Sequence, residues 1–259
     1  MMLAKIIEEK EKQIADAKKA FSRQEIIDKC ASLSNSRHDF KHAVSKHGDI
    51  NLIAEIKKAS PSRGVIREDF NPQEIAKIYQ FAGASAISVL TEEKYFLGSL
   101  DYINKIKQVC TLPILRKDFI IDEYQIYESR YFGADAILLI ADILSIDEIR
   151  QFMEIAAALA IDCLLEVHNE EDLSKAINSG AGIIGINNRD LHTFKLSLKT
   201  SENIIPLIPK DRVIVVESGI KSNADAMYFK SLGANAVLIG EAFMDEADIA
   251  KKVKEVLGK

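Results

Sequence analysis

Tryptophan is absent from the 259 residues, and cysteine occurs only as Cys30, Cys110 and Cys163. Any aromatic cover over a ligand must therefore come from phenylalanine or tyrosine. Three widely spaced cysteines without a CxxC pair exclude a disulfide framework and a thiolate metal site, and fit a reducing, cytoplasmic setting. The five histidines show no metal-ligand spacing, so no metal is expected. No apolar run is long enough to span a bilayer, and the charge-rich N-terminus lacks the core of a signal peptide. Neither sign of charge dominates. The net charge of −5 gives no global field for nucleic acid or an anionic membrane. What remains is a composition 47% hydrophobic and 28% charged, ordinary for a soluble globular chain and sufficient for a sizeable core.

Residues 1–48 read as a helical N-terminal extension. Leu3, Ile6, Ile7, Ile14, Ala17 and Phe21 trace a broken apolar stripe, and Ser22-Arg23-Gln24-Glu25 resembles a capping box opening a second helix. Packing is its ordinary use; capping one mouth of the downstream fold is the sharper one. From residue 49 strand-like runs near 50–56, 85–90, 112–117, 134–140, 161–167, 182–187, 212–217 and 235–239 alternate with helix signals. Asn71-Pro72-Gln73-Glu74 and Ser145-Ile146-Asp147-Glu148 are helix starts, and Ser222 precedes a helix that should stop at Gly233.

An internal repeat sets the architecture. Gly83-Ala84-Ser85-Ala86-Ile87 recurs at Gly133, Gly180 and Gly233, each copy a helix-ending glycine that feeds a strand. The roughly fifty-residue period covers two strand–helix units. Four double units make eight, so the expected fold is α/β, a (β/α)8 barrel, over residues 1–259 as one domain. A doubly wound open sheet is the rival. It would more often carry a GxGxxG turn after its first strand, and none is present.

In a barrel the strands' C-terminal ends form the reactive face. Those ends carry Glu55 and Lys57, Lys117, Glu166, Asn187-Asn188-Arg189, Glu217-Ser218-Gly219 and Gly240-Glu241. Period two places Glu55 and Lys57 on one face. The odd strands thus deliver ammonium and carboxylate groups to one ring, whereas strands 2 and 4 end more quietly in Thr91-Glu92 and Ala141-Asp142. Strand ends are generally polar, but long charged groups rarely follow runs such as Val213–Val216 unless they are used.

Phosphate is the expected anchor. Gly219 and Gly240 stand where backbone must approach a ligand closely, and Arg189 could supply the counter-charge. Glu241 is awkward there, useful only through its backbone N–H with the carboxylate turned away. Loop 58–71, with Ser60, Ser62, Arg63 and Gly64, suits an anion-attracting lid or a merely solvated loop. Phe96 and Phe119 could form an aromatic wall, although core packing is the usual fate of phenylalanine. Lys251-Lys252 reads as solvated surface on the last helix.

Glu55–Ser62 (EIKKASPS), Leu115–Ile120 (LRKDFI), Gly185–Leu191 (GINNRDL) and Glu217–Ile220 (ESGI) resemble indole-3-glycerol phosphate synthase, as do Leu164–Val167 and Leu238–Glu241. The resemblance covers essentially the whole chain. It implies a carboxy-lyase of tryptophan synthesis that converts 1-(2-carboxyphenylamino)-1-deoxyribulose 5-phosphate to indole-3-glycerol phosphate, CO2 and water. No cofactor is implied. It makes Glu55, Lys57, Lys117, Glu166, Asn187, Glu217 and Ser218 catalytic, with Lys117 the general acid. Ser60, Arg189, Gly219, Gly240 and Glu241 would bind phosphate; Phe96, Phe119 and Leu138 would enclose the anthranilate ring. Crowding by Lys57 and partial burial should lower the Lys117 pKa. The dehydration needs a base and an acid, and Glu166 and Lys57 are the candidates, with either step open to either residue. The expected partner is a phosphorylated small molecule, with no nucleic acid and no membrane. A monomer is expected, weak association with other tryptophan-pathway enzymes being left open. Because the chain ends soon after the last strand, it reads as monofunctional.

Two rivals share the phosphate end. A phosphoribosylanthranilate isomerase usually works through a Cys/Asp pair, and the three cysteines miss the strand ends. A non-catalytic phosphate-ligand binder would not need an intact ring of Glu and Lys.

Overall fold

A computed structural model describes residues 2–33 and 38–259. Its centre is a closed barrel of eight parallel strands. In chain order these are β1 (Asn51–Ile56), β2 (Ala86–Leu90), β3 (Ile114–Lys117), β4 (Ala136–Ile140), β5 (Asp162–Val167), β6 (Ile183–Asn187), β7 (Val213–Glu217) and β8 (Ala236–Ile239). Each strand pairs with its neighbours in sequence, and β8 closes on β1, with Asn51 in register with Ala236 and Ala54 with Ile239. This is the (β/α)8 barrel that the repeat implies.

Helices α1 (Met2–Ala20), α2 (Arg23–Ala31) and α3 (Phe40–Val44) precede the barrel. Around it run α4 (Pro72–Ala82), α5 (Asp101–Lys107), α6 (Tyr124–Phe132), α7 (Ile146–Ala158), α8 (Glu170–Ser179), α9 (Lys199–Ile204) and α10 (Asn223–Leu232). After β8 come α11 (Glu241–Met244) and α12 (Ile249–Leu257). Local chemistry sets these boundaries. Gly83, Gly133, Gly180 and Gly233 each end a helix in the left-handed region, as a residue without Cβ can do cheaply. Ser145 and Ser222 cap α7 and α10 and are capped in return by Glu148 and Asp225. Each such cap contributes about 1 kcal/mol.

Strand alternation divides the core in two. Leu52, Ala54 and Ile56 join the layer between sheet and helices, with Ile87, Val89, Ile137 and Ile184. Ile53 faces the barrel interior with Ala86, Leu115, Leu138, Leu164, Val215 and Leu238. The interior column is apolar for most of its height. Only its C-terminal end is charged.

The extension serves both ends. Phe40 and Val44 of α3 are fully buried in the interior cluster. The backbone N–H of Lys41 donates to Asp162 at 3.0 Å, and that of His38 donates to Asp135 at 3.0 Å. Asp162 opens β5 and Asp135 precedes β4, so α3 caps the N-terminal mouth. Leu3 and Ile6 of α1 belong to the cluster that holds Phe119 and Leu138. The expected capping box starts α2. Met1 and residues 34–37, which the helical expectation also covered, lie outside the described residues.

Candidate active site

One cavity of about 430 Å3 opens at the C-terminal ends of the strands, and every site residue expected from the sequence lines it. At its floor the odd strands meet. Lys117, the last residue of β3, donates from Nζ to Glu166 Oε2 of β5 at 3.1 Å and lies 3.1 Å from Glu217 Oε2 of β7. On β1, Lys57 Nζ stands 2.7 Å from Glu55 Oε1, which places both on one face as period two requires. Glu55, Glu166 and Glu217 are buried. Buried charges are costly unless paired, so the two lysines are what allow three carboxylates here.

The pairing is unequal. Lys117 donates an aligned hydrogen bond to Glu166, whereas Glu217, 3.1 Å from the same ammonium, is the more weakly satisfied of the two carboxylates. Burial therefore dominates and, against the pull of Lys117, pushes the Glu217 carboxyl up to about 7, with Glu166 adding to the rise. Glu166 goes the other way. Burial would raise it, but Lys117 and His168 hold it below the ordinary carboxylate range. His168 Nε2 lies 3.3 Å from Glu166 Oε1, and its Nδ1 lies 3.7 Å from Asp172 Oδ2. Burial works against the imidazolium, yet those two carboxylates hold its pKa up at about 10.

Lys117 itself corrects an expectation. Burial pushes its pKa down, but Glu166, Glu217 and Glu55 outweigh burial and hold it above the ordinary lysine range. Crowding by Lys57 does not set its charge; the carboxylates do.

Residues flanking Lys117 point the opposite way and lock it in place. Arg116 is buried behind the strand, where its guanidinium meets Asp118 Oδ2 at 3.0 Å and Glu128 Oε2 at 2.9 Å. Asp118 also accepts from the Thr91 hydroxyl at 2.6 Å and pairs with Lys10 Nζ of α1 at 2.8 Å. Burial opposes that charge, but Lys10 and Arg116 hold the Asp118 carboxyl down to about 2. The quiet end of strand 2 is also structural. Buried Glu92 accepts the backbone N–H groups of Lys94, Tyr95 and Phe96, and so places Phe96.

Phe96 and Phe119 face each other with ring centroids 6.3 Å apart and planes at 42°. With Leu138 they form the apolar wall of the cavity. At the other side Asn187 accepts the Arg189 backbone N–H at 3.0 Å. Asn188 ties the neighbouring turn by donating to the Ser218 carbonyl at 3.1 Å. Ser218 and Gly219 both take positive φ, 65° and 86°. For serine that is a strained backbone, costing roughly 1–3 kcal/mol, of the kind concentrated at functional turns.

Gly240 has a structural reason beside the expected one, and two expectations change here. Gly240 leaves room for a side chain: a Cβ at 240 would overlap the carboxylate of Glu55 and lie 2.9 Å from its Cβ. The start of the lid is ordered backbone, a hairpin in which Ala59–Ser60 pairs antiparallel with Gly64–Val65. Lys252 is not solvated surface: its side chain is 18% exposed, meets Glu255 at 3.0 Å and lines the cavity.

Sequence reasoning left Lys10, Asp118, His168 and Gly185 without roles. Asp118 and Gly185 lay inside the quoted motifs. Lys10 carried no local signal, because its partner Asp118 is distant in sequence; His168 stands two residues after Glu166 and four before Asp172, a spacing that could have marked it.

A closed barrel with ammonium–carboxylate pairs facing a cavity at its strand ends defines a (β/α)8-barrel enzyme of acid–base type. The family model for indole-3-glycerol phosphate synthase matches residues 3–256. Proteins of that name are similar throughout. The one from Clostridium acetobutylicum is 49% identical over 100% of this chain and 98% of its own. The one from Caldanaerobacter subterraneus is 50% identical over 100% of both. The one from Acetivibrio thermocellus is 57% identical over 84% of each. The chain belongs to the indole-3-glycerol phosphate synthase family. Among solved structures, 3-hexulose-6-phosphate synthase from Salmonella typhimurium (TM-score 0.66, 14% identity, 81% of this chain and 97% of that one) shares the fold. So does a tryptophan synthase α-subunit from Pyrococcus furiosus (TM-score 0.61, 17% identity, 82% and 99%).

Proposed function

We propose that this site converts 1-(2-carboxyphenylamino)-1-deoxyribulose 5-phosphate to indole-3-glycerol phosphate, CO2 and water. The observation that carries the reading is the meeting of Lys117, Glu166 and Glu217 from three strands beside an aromatic wall. The substrate has the matching parts: an aromatic carboxylate, a ketone and a phosphate.

In this reading Phe96, Phe119 and Leu138 hold the anthranilate ring, and Ser60, Arg189 and the backbone at Gly219 hold the phosphate. The chain is thereby bent so that the ring carbon bearing the carboxylate lies against the ketone carbon. Bond formation between those carbons places negative charge on the ketone oxygen. Lys117, kept protonated by its carboxylates, is the donor that neutralises it. Loss of CO2 returns the electron pair to the ring, and desolvation of the substrate carboxylate against the apolar wall favours that step. Departure of the hydroxyl as water then needs an acid at oxygen and a base for a proton of the new ring. Lys57 suits the first. For the second, Glu217 is the better poised carboxylate, because near pH 7 it exchanges a proton readily while Glu166 is held ionised. Glu55 orients Lys57; Asn187 and Ser218 face the sugar hydroxyls.

The same reading treats residues 1–259 as one domain with a helical extension, acting as a monomer in the cytoplasm without a cofactor. No helix among the described residues is long and apolar enough to cross a membrane. The isomerase rival gains no support: Cys30 lies in α2, Cys110 follows α5, and Cys163 sits at the start of β5, the end remote from the cavity. The test is to supply both candidate substrates to the purified chain. Indole fluorescence should grow from the carboxyphenylamino compound. Turnover of phosphoribosylanthranilate instead would overturn the reading.

A further inference from the structure

The cavity's polar end already contains an anion. Glu241 follows β8, and its two carboxylate oxygens reach two different guanidinium groups. Oε2 lies 3.2 Å from Arg189 NH2, just past β6, and Oε1 lies 3.1 Å from Arg63 NH1, in the turn of the lid hairpin. Arg63 also pairs with Asp245, and those two carboxylates hold its guanidinium pKa above the ordinary value. One side chain thus bridges loops 178 and 52 residues away in sequence. Both arginines point their donors at it. The carboxylate is not turned away from the site.

We infer that the Glu241 carboxylate occupies, in the resting enzyme, the guanidinium donors that a substrate phosphate requires, so that phosphate binds by exchange with it. The inference rests on the phosphate assignment above and adds a specific cost to it. A carboxylate and a phosphate monoester compete for the same bidentate fork. Arg63 and Arg189 carry two positive charges; Glu241 and Asp245 already balance them. Adding a dianion without moving Glu241 would set like charges side by side, with repulsion strongest where water is excluded. When phosphate enters, Glu241 must release Arg189 and Arg63. Arg63 keeps its second partner, Asp245, and Arg67 still donates to the Glu246 carbonyl at 3.0 Å, so the hairpin stays tethered while Glu241 yields its guanidinium donors. Reversal after reaction re-forms both ion pairs and helps to expel a phosphorylated product. Glu241 accordingly acts as a specificity-determining residue: it weakens the hold on phosphate in exchange for faster release.

Glu241 is one-third exposed, so its isosteric replacement leaves the core intact. The experiment is calorimetric titration of the whole chain with inorganic phosphate, comparing wild type, Glu241→Gln and Glu241→Ser. Binding should tighten at least about fivefold in both variants, the lower bound of ordinary coupling between competing sites, and product release in pre-steady-state turnover should slow. Unchanged phosphate affinity would overturn the inference. So would weaker affinity, since it would mean that the carboxylate preorganises the arginines for phosphate instead of competing for them. The titration needs no turnover. An inactive wild type whose variants still bind phosphate more tightly would refute the proposed reaction and leave this inference standing; an active enzyme with unchanged phosphate affinity would do the reverse.

Discussion

Gly185 of β6 faces Glu217 of β7: a Cβ added at 185 would overlap the Glu217 carboxylate Oε1 and lie 3.2 Å from Leu164 Cδ1. The glycine is a socket. Gly240 does the same for Glu55. In both cases a glycine on or just past an even strand of the barrel wall leaves room for a carboxylate from the adjacent strand.

Gly185→Ala should therefore displace Glu217 while leaving the barrel folded. A shift of about 1 Å in a catalytic group costs on the order of 10²-fold in rate, and the fall should appear in kcat more than in KM. Pairing it with Glu217→Asp, one methylene shorter, should recover part of the loss. Steady-state indole formation checks this. An unchanged kcat in Gly185→Ala would show that the position of Glu217 does not matter.

Glu217 also links activity to pH-dependent stability. Its carboxyl is raised from the ordinary 4.5 to about 7. The folded state thus retains a proton that the unfolded chain releases, and this contribution is complete below pH 4.5 and lost as pH rises through 7. Glu217→Gln mimics the protonated form. Relative to wild type it should gain stability between pH 5 and about pH 7 and level off above that in urea denaturation, while losing turnover. A stability difference independent of pH across that range would contradict the raised pKa.

Lys10 should matter more than a surface residue of an N-terminal helix normally does. Its pair with Asp118 is almost fully buried, and Arg116 remains as the second partner of that carboxylate. Lys10→Met leaves Asp118 half-compensated, at a cost of about 3 kcal/mol, the low end for breaking a buried pair. Asp118, held down to about 2, contributes stability above pH 3.8 that is lost as pH falls toward 2. Without Lys10 the folded-state pKa of Asp118 rises, so less of this contribution is present at neutral pH. The variant starts less stable, its acid-unfolding midpoint by circular dichroism comes at a higher pH, and the share of the fall between pH 3.8 and 2 that is due to Asp118 is smaller. A variant as acid-stable as wild type would remove α1 from the support of the site.

These residues also show what the sequence made legible. The repeat of helix-ending glycines and the alternation of apolar runs fixed eight strands, because both signals are local and periodic. The rim came from the strand ends, since Lys117, Glu166 and Glu217 each close a buried run. What stayed hidden depends on distance across the barrel. Nothing near Lys10 announces Asp118, 108 positions later. Glycine looks the same in a sequence whether it makes a turn, as Gly219 does at φ 86°, or leaves a socket, as Gly240 does. The sequence neighbours of Lys117 do not reveal its charge environment, which three carboxylates from β1, β5 and β7 set across the barrel.

The claim on which all of this depends is that the ammonium held between Glu166 and Glu217 supplies the proton for ring closure. It is tested most directly by single-turnover indole fluorescence with Lys117→Ala beside wild type, each shown to be folded by circular dichroism. The account predicts growth of the indole signal in wild type and a fall of at least about 10²-fold in the variant, the lower range for loss of a general acid. A folded Lys117→Ala chain that forms indole at the wild-type rate would contradict it.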